Sequence, residues 1–202
     1  MLLIKFIKRR KQLIIKKITR CVFQYPRFLK YRILSTCKRI SGTPKLFQPI
    51  QINGKGRVIF KHNVAIGVDP SPFLYNGYSY IDSRNDDSVI EIGNNCRINN
   101  NFIAIAESEG ITIADNVLIG LNCELTDSDF HDLDPLRRRE NGVARKAKII
   151  IGENVFLGSN VKVMKGVEIG KNSVIANGSI VTKSIPENVI AAGTPAKVIR
   201  II

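Results

Sequence analysis

The chain has 202 residues, of which 44% are hydrophobic and 24% are charged, so it suits one globular domain or one domain with a small appendage. Its formal net charge is +14, and residues 1–40 contribute +13 because they hold thirteen Lys and Arg and no Asp or Glu. The remaining residues carry 14 − 13 = +1, so the basicity belongs to an N-terminal arm and not to the rest of the chain.

The N-terminal arm, residues 1–44, is predicted to be a basic amphipathic helix. Leu3, Ile7, Ile14 and Ile18 recur at helical spacing with Lys and Arg between them. No apolar run approaches the ~18 residues that span a bilayer, and charges interrupt the apolar core that a signal peptide needs. Such a helix could lie on an anionic membrane surface or dock on the rest of the chain. Nucleic acid is disfavoured because it would leave the apolar face unused.

Beyond the arm, aliphatic residues recur at intervals of six, and the most regular run is Ile151, Leu157, Val163, Ile169, Ile175 and Val181. A period of six is neither helical nor a simple strand alternation. It predicts a coil of short parallel strands, with Asn or Gly at the corners because these residues tolerate a left-handed backbone. Each coil can bury its aliphatic residues only by stacking on the next. Residues 45–202 are therefore predicted to form an all-β solenoid.

The six-residue rhythm is interrupted at a few places. It first appears at Ile52, breaks in a Pro-, Tyr- and Asp-rich passage at 69–87 that we read as a loop or irregular coil, and breaks again in an inserted loop at 127–148. A different pattern at 185–202 predicts a C-terminal cap, which a stacked array requires. Insertions in solenoids map to loops on one face and tend to carry function.

The four cysteines show no paired spacing and no His partners at zinc-finger distances. This argues against a disulfide framework or a structural metal site, and it fits a reducing cytoplasm. Cys96 and Cys123 occupy positions where Val stands in later repeats, so both are predicted to be small core residues.

The insertion at 127–148 contains His131, one of two histidines in the chain. Asp127, Asp129, Asp132 and Asp134 surround it in sequence. On the one long excursion from a rigid scaffold, a base with a pKa near neutrality could reach a bound substrate. The other histidine, His62, is read as an ordinary surface residue.

The chain resembles the hexapeptide-repeat acyltransferases of the maltose, galactoside and polysaccharide O-acetyltransferase type. The resemblance covers about residues 50–202 and is closest over 89–202. It rests on the ordered segments ITIADNVLIG, FHDLDP, IIIGENVFLGSNV, GVEIGKNSVIANGSIVTKSIP and NVIAAGTPAKVIR. The family implies a left-handed parallel β-helix, about three hexads per turn, that assembles as a homotrimer. The hand of the coil rests on this resemblance alone.

By this resemblance, His131 matches a catalytic base that takes the proton of an acceptor hydroxyl as the hydroxyl attacks acetyl-CoA, with no covalent intermediate and no metal. An asparagine that contacts the acceptor or the histidine falls at Asn99, with Asn101 as a rival, and Asp129 is a candidate for orienting His131. A backbone N–H near Ser159 matches the donor to the oxyanion. The resemblance places acetyl-CoA on Gly120, Ser159, Asn177, Thr182, Lys183, Lys197 and Arg200.

Several alternatives share this scaffold. Serine O-acetyltransferases usually carry a larger helical N-terminal domain, the FHDLDP loop is less typical of nucleotide-sugar N-acetyltransferases, and a non-enzymatic scaffold has no need of a long His-bearing loop. A γ-class carbonic anhydrase is excluded because it needs three zinc histidines per site. The basic arm and the 69–87 passage depart from the small-sugar enzymes. They favour a lipid-linked or nascent glycan as acceptor and a cytoplasmic protein at the inner face of the membrane.

Overall fold

In the computed structural model, which describes residues 2–139 and 143–202 apart from the side chains of residues 2–9 and 16, short strands wind into a β-helix with three parallel sheets. Each turn of the coil places one strand in each sheet, because strand n pairs with strand n + 3 through most of the chain. Every pairing between strands of the coil is parallel, and the one antiparallel pair of strands in the described part of the chain, β19 with β20, closes the C-terminus.

The three sheets are named in the order in which the chain enters them. The first contains β1 (Arg39–Ser41), β4 (Arg57–Phe60), β7 (Val89–Ile92), β10 (Ile111–Ile113), β13 (Ile149–Ile151) and β16 (Glu168–Ile169). The second contains β2 (Lys45–Leu46), β5 (Ala65–Ile66), β8 (Arg97–Ile98), β11 (Leu118–Ile119), β14 (Phe156–Leu157), β17 (Val174–Ile175), β19 (Val189–Gly193) and β20 (Ala196–Ile201). The third contains β3 (Ile50–Asn53), β6 (Ser79–Ser83), β9 (Ile103–Ala106), β12 (Glu124–Thr126), β15 (Lys162–Val163) and β18 (Ile180–Val181).

The hexad aliphatic residues fill the interior of the coil, as predicted. All six members of the regular run from Ile151 to Val181 are fully buried. Cys96 and Cys123 are also buried, which confirms their prediction as core residues, and burial raises the pKa of each thiol to about 11. A strand of two residues buries too little to be stable alone, so stacking of these side chains along the axis holds the coil together.

Asparagines turn the corners in the left-handed backbone conformation. Asn154, Asn172 and Asn188 have φ between 56° and 61° and lie one above another between the first and second sheets. The Asn154 amide donates to the Asn172 side-chain oxygen at 3.0 Å, and Asn172 donates in the same way to Asn188 at 2.8 Å. Each asparagine thus supplies the backbone turn and hydrogen-bonds to its neighbours in the stack.

Two boundaries differ from the sequence prediction. The first strand begins at Arg39 and pairs with β4, so the predicted arm boundary after residue 44 falls inside the first turn. The 69–87 passage contains β6, which pairs with both β3 and β9, so only part of the passage is a loop. Its polar composition hid a strand whose residues Ser79 and Ser83 are buried and hydrogen-bonded.

The arm is helical, as predicted. It consists of α1 (Leu2–Thr19), a π-helical turn at Arg20–Gln24 and α2 (Tyr25–Leu34). Gln24 is buried and donates to the carbonyls of Phe47 and Leu74, so the arm docks on the first turns of the coil. The side chains of Leu3 and Ile7 lie outside the described residues. Neither helix, as far as the structure describes it, is long and apolar enough to cross a membrane.

The four thiols are predicted to differ sharply in reactivity. Cys21 is exposed, whereas Cys37, Cys96 and Cys123 are buried. We expect a chromogenic disulfide reagent at pH 8 to modify one thiol per chain rapidly and the other three only after unfolding in denaturant. The reagent reacts with an accessible thiolate, and burial keeps the reagent away from the other three thiols. A Cys21→Ser variant should lose the rapid phase. Rapid modification of three or four thiols in the native protein would contradict this packing.

Candidate active site

The inserted loop leaves the coil at a single corner. It follows β12 in the third sheet and returns at β13 in the first sheet, while β13 still pairs in register with β10. The two ends of the loop pair with each other: the Asp129 N–H donates to the Arg145 carbonyl at 3.0 Å, and the Ala147 N–H donates to the Asp127 carbonyl at 2.9 Å. The loop is therefore closed at its base and leaves the coil undisturbed.

Asp127 anchors the base of the loop to the preceding turn. Its carboxylate is fully buried and accepts the backbone N–H of Glu107 at 2.6 Å and that of Gly110 at 2.8 Å. Ser128 continues the anchor through a hydrogen bond to the Glu107 carboxylate. Asp127 thus caps backbone donors at the 107–110 bend instead of facing His131.

Phe130 sets the direction of the chain just before His131. It has φ of 60°, and its N–H donates to Ser128 Oγ at 2.9 Å. Its ring packs under the Arg84 guanidinium, with Cζ 4.9 Å from the ring centroid. A left-handed aromatic residue is unusual, and such positions often accompany functional sites. The turn leaves the His131 side chain exposed to solvent.

Asp129 has a buried carboxylate oxygen that makes no hydrogen bond within the described part of the chain. Its Oδ1 accepts a hydrogen bond from Lys165 Nζ at 2.7 Å, and its Oδ2 is buried without a hydrogen-bond partner among the described residues. Asp132 and Asp134 instead form ion pairs with Arg137 at 3.2 and 3.3 Å. Of the four acidic residues near His131 in sequence, Asp129 is the one with a buried carboxylate oxygen that has no partner among the described residues.

The candidate asparagines lie at the corner between the second and third sheets. The Asn99 side-chain oxygen accepts the Asn100 N–H at 2.7 Å, which makes it part of a local turn. Asn101 is left-handed, receives a hydrogen bond from Gln48, and lines a cavity of about 450 Å³ on the outer face of the third sheet. The cavity is also lined by Asn76, Gly77, Tyr78, Tyr80, Ile103, Ile105, Asn122 and Glu124.

Three of the residues matched to acetyl-CoA meet at this same corner on successive turns. The Ser159 N–H donates to Asn177 Oδ1 at 2.8 Å, and Ser159 Oγ accepts the Leu121 N–H at 3.2 Å. A Cβ on Gly120 would lie 2.6 Å from Ser159 N, so the stacking requires glycine there. The Ser159 N–H that the resemblance offers as an oxyanion donor is therefore occupied within the chain.

The other residues matched to acetyl-CoA lie elsewhere. Thr182 and Lys183 follow β18 at the corner between the third and first sheets, and both are exposed. Lys197 and Arg200 are exposed on β20, at the end of the second sheet. Within one chain the structure thus gathers part of the predicted set at one corner and leaves the rest on two other surfaces. Among the described residues, no group of three or more His, Cys, Asp and Glu side chains could hold a metal ion.

Comparison with known proteins decides the family. Residues 148–183 match the family model described as the hexapeptide repeat of succinyl-transferase. The galactoside O-acetyltransferase of Escherichia coli K12 is 47% identical over 173 residues, which span 81% of this chain and 78% of that protein. The chain belongs to the hexapeptide-repeat acetyltransferases.

Two further relatives extend the comparison. The galactoside O-acetyltransferase of Lactococcus lactis is 42% identical over 99 residues, and the match spans 48% of this chain and 46% of that relative. A solved hexapeptide-repeat acetyltransferase from Vibrio cholerae O1 biovar eltor, complexed with acetyl-CoA, superposes with a TM-score of 0.54 at 26% identity, covering 89% of this chain and 78% of that one. These likenesses confirm the left-handed parallel β-helix that the resemblance implied.

Sequence reasoning missed one residue of this acetyltransferase that contacts a candidate site residue. Lys165 holds Asp129, although the two are 36 positions apart. The six-residue repeat could have indicated that Lys165 lies near the loop. Lys165 follows the core residue Val163 by two positions, and Asp127 follows the core residue Leu125 by the same interval, as Lys183 follows Val181. Residues in the same hexad position stack at one corner.

The anchoring role of Asp127 predicts a measurable loss of stability. In Asp127→Asn one backbone N–H would face an amide donor in place of an acceptor, which should lower the free energy of unfolding by about 1–3 kcal/mol. Urea unfolding at equal protein concentration provides the measurement. The matched control is Asp134→Asn, whose exposed ion pair should contribute less than about 1 kcal/mol. Equal losses in the two variants would contradict the anchor.

Proposed function

We propose that this protein is an acetyl-CoA-dependent O-acetyltransferase that acts on a sugar hydroxyl and uses His131 as general base. The observation that carries the proposal is the position of His131: it is exposed on the long insertion and follows a left-handed Phe130. The support from relatives is the galactoside O-acetyltransferase of Escherichia coli, at 47% identity.

In the proposed reaction one proton moves from the acceptor hydroxyl to His131 and then to the thiolate of coenzyme A. The His131 imidazole takes the proton of the acceptor hydroxyl while the oxygen attacks the thioester carbon of acetyl-CoA. The tetrahedral oxyanion then collapses, the C–S bond breaks, and the thiolate of coenzyme A receives the proton from the imidazolium. The products are the sugar acetate and free coenzyme A, and the chain needs no covalent intermediate.

Asp129 is proposed to orient His131. Its unpartnered Oδ2 would accept the ring N–H that does not take part in proton transfer, which fixes the tautomer of the base. Lys165 holds the opposite oxygen and so keeps the carboxylate in place. For the acceptor contact we favour Asn101 over Asn99, because Asn101 lines the cavity and Asn99 does not.

Acetyl-CoA is proposed to bind along the coil near Gly120, Ser159, Asn177 and Thr182, with Lys183, Lys197 and Arg200 near its phosphates. Support comes from the solved relative that is complexed with acetyl-CoA. The Ser159 N–H can stabilise the oxyanion only if Asn177 releases it. Movement of the Asn177 amide would therefore accompany binding of the acetyl group.

A homotrimer would complete this site. The His131 loop leaves at the corner between the third and first sheets, whereas Ser159 lies at the corner between the second and third sheets. These two corners are separated by the width of the third sheet within one chain. If neighbouring copies pack through the outer face of the third sheet, His131 of one copy meets the Ser159 corner of the next.

The basic arm and the 69–87 passage, which depart from the small-sugar enzymes, guide the choice of acceptor. We propose a lipid-linked or nascent glycan of a surface polysaccharide, modified in the cytoplasm beside the inner face of the membrane. The support is the concentration of +13 of the net charge in residues 1–40. The four free thiols also fit a reducing compartment.

Loss of the base should abolish most turnover. We expect His131→Ala to lower kcat at least about 10²-fold in an assay of thiol release from acetyl-CoA with a panel of sugars and glycan fractions. The matched control is His62→Gln, which alters the other exposed histidine and should stay within about twofold of the native rate. Size-exclusion chromatography checks that both variants keep the native assembly. Unchanged turnover in His131→Ala would overturn the proposed mechanism.

The basic residues of the cap should act on the donor alone. In Lys197→Gln with Arg200→Gln, we expect KM for acetyl-CoA to rise about tenfold or more, because charged hydrogen bonds to phosphate are lost. Lys171→Gln, an exposed lysine paired with Glu187, should leave KM unchanged. Acetyl-dephospho-CoA, which lacks the 3′-phosphate, identifies the phosphate that is bound. If Lys197 and Arg200 bind the 3′-phosphate, the rise in KM caused by the double substitution should be smaller with this donor. A KM equal to that of the native enzyme would refute their assignment.

A further inference from the structure

The arm docks on the coil through one polar face. Arg20 forms an ion pair with Asp69 at 2.6 Å, Gln24 donates to the carbonyls of Phe47 and Leu74, and Arg27 donates to Leu74 O at 2.9 Å and to Gly77 O. Tyr31 stacks on Tyr78 with ring centroids 4.3 Å apart. These arm residues are separated by four, three and four positions, which is the spacing of one helix face.

The opposite face of the arm carries a stripe of aliphatic residues. Most of them lie two positions from a docking residue, about 200° around a helix. They are separated by four, four, seven and four positions, and each is between 57% and 72% exposed. The apolar stripe consists of Ile14, Ile18, Val22, Leu29 and Ile33.

All charged residues around the apolar stripe are basic. Residues 1–40 hold thirteen Lys and Arg and no acidic residue, and Lys17, Lys30 and Arg32 lie between members of the stripe. We expected the arm either to lie on a membrane or to dock on its own solenoid. The structure separates the two faces instead, because hydrogen bonds, an ion pair and one aromatic stack dock the arm, and the apolar stripe remains outside.

We propose that the apolar stripe binds the surface of an anionic phospholipid bilayer. Aliphatic side chains would enter the boundary between headgroups and acyl chains, while the flanking Lys and Arg contact anionic headgroups. A second copy is a poor occupant, because two such arms would bring like charges together and residues 41–202 offer a net charge of only +1. The docked polar face would then hold the coil next to the bilayer.

The test uses the full chain and vesicles of defined lipid. We expect the protein to co-sediment with vesicles of mixed phosphatidylcholine and phosphatidylglycerol, to bind pure phosphatidylcholine at least about tenfold more weakly, and to lose binding as salt rises. Leu29→Gln with Ile33→Gln should weaken binding to the mixed vesicles at least tenfold, since glutamine keeps the helix but removes apolar area.

The matched control is Ile199→Gln with Ile201→Gln, on the C-terminal strand. These residues are 63% and 75% exposed, close to the 60% and 72% of Leu29 and Ile33, so the control removes similar apolar surface elsewhere. It should leave vesicle binding unchanged. Circular dichroism checks that both double variants are folded.

Two results would overturn the proposal. One is a native protein that does not bind the mixed vesicles. The other is a change in oligomeric state in Leu29→Gln with Ile33→Gln, seen by sedimentation velocity without lipid, which would assign the stripe to a contact between copies. Acetylation of a soluble sugar, measured in parallel, separates this question from the proposed function, because transfer does not require the apolar stripe.

Discussion

The structure depends on a sharp corner at about every sixth residue. A flat strand of two to five residues has too little apolar surface to fold alone, so the chain must turn and stack on itself. Each turn needs a residue that accepts positive φ, and Asn meets this need at corner after corner. The stacked Asn side chains then hydrogen-bond along the axis, so that each corner also fixes the distance to the next.

This regularity explains where chemistry is possible. Aliphatic side chains fill most of the interior of the coil, so the polar groups of the candidate site lie at corners and on outer faces. The inserted loop uses one corner, where Asp127 caps the neighbouring bend and the β10–β13 pairing continues across the insertion. An anchored base of this kind lets a polar loop present His131 at a defined place.

Much of the fold could be predicted from sequence because its physical cause repeats. The buried hexads, the left-handed corners and the core cysteines all follow from one spacing, and the C-terminal cap follows from the point where that spacing ends. Features without repetition were missed: β6 is polar, and β1 begins at Arg39, before the predicted end of the arm at residue 44. The site was only partly predictable. The position of His131 follows from the insertion, but the pairing of Asp129 with Lys165 and the use of the Ser159 N–H by Asn177 depend on how turns stack.

The proposed reaction requires His131 of one copy to meet the donor groove of a neighbouring copy, and one measurement tests this directly. A crystal structure of the full chain with coenzyme A should show the sulfur between His131 of one copy and the Ser159 corner of its neighbour, within about 3.5 Å of the imidazole. Coenzyme A bound on another face, with its sulfur far from every copy of His131, would contradict the account.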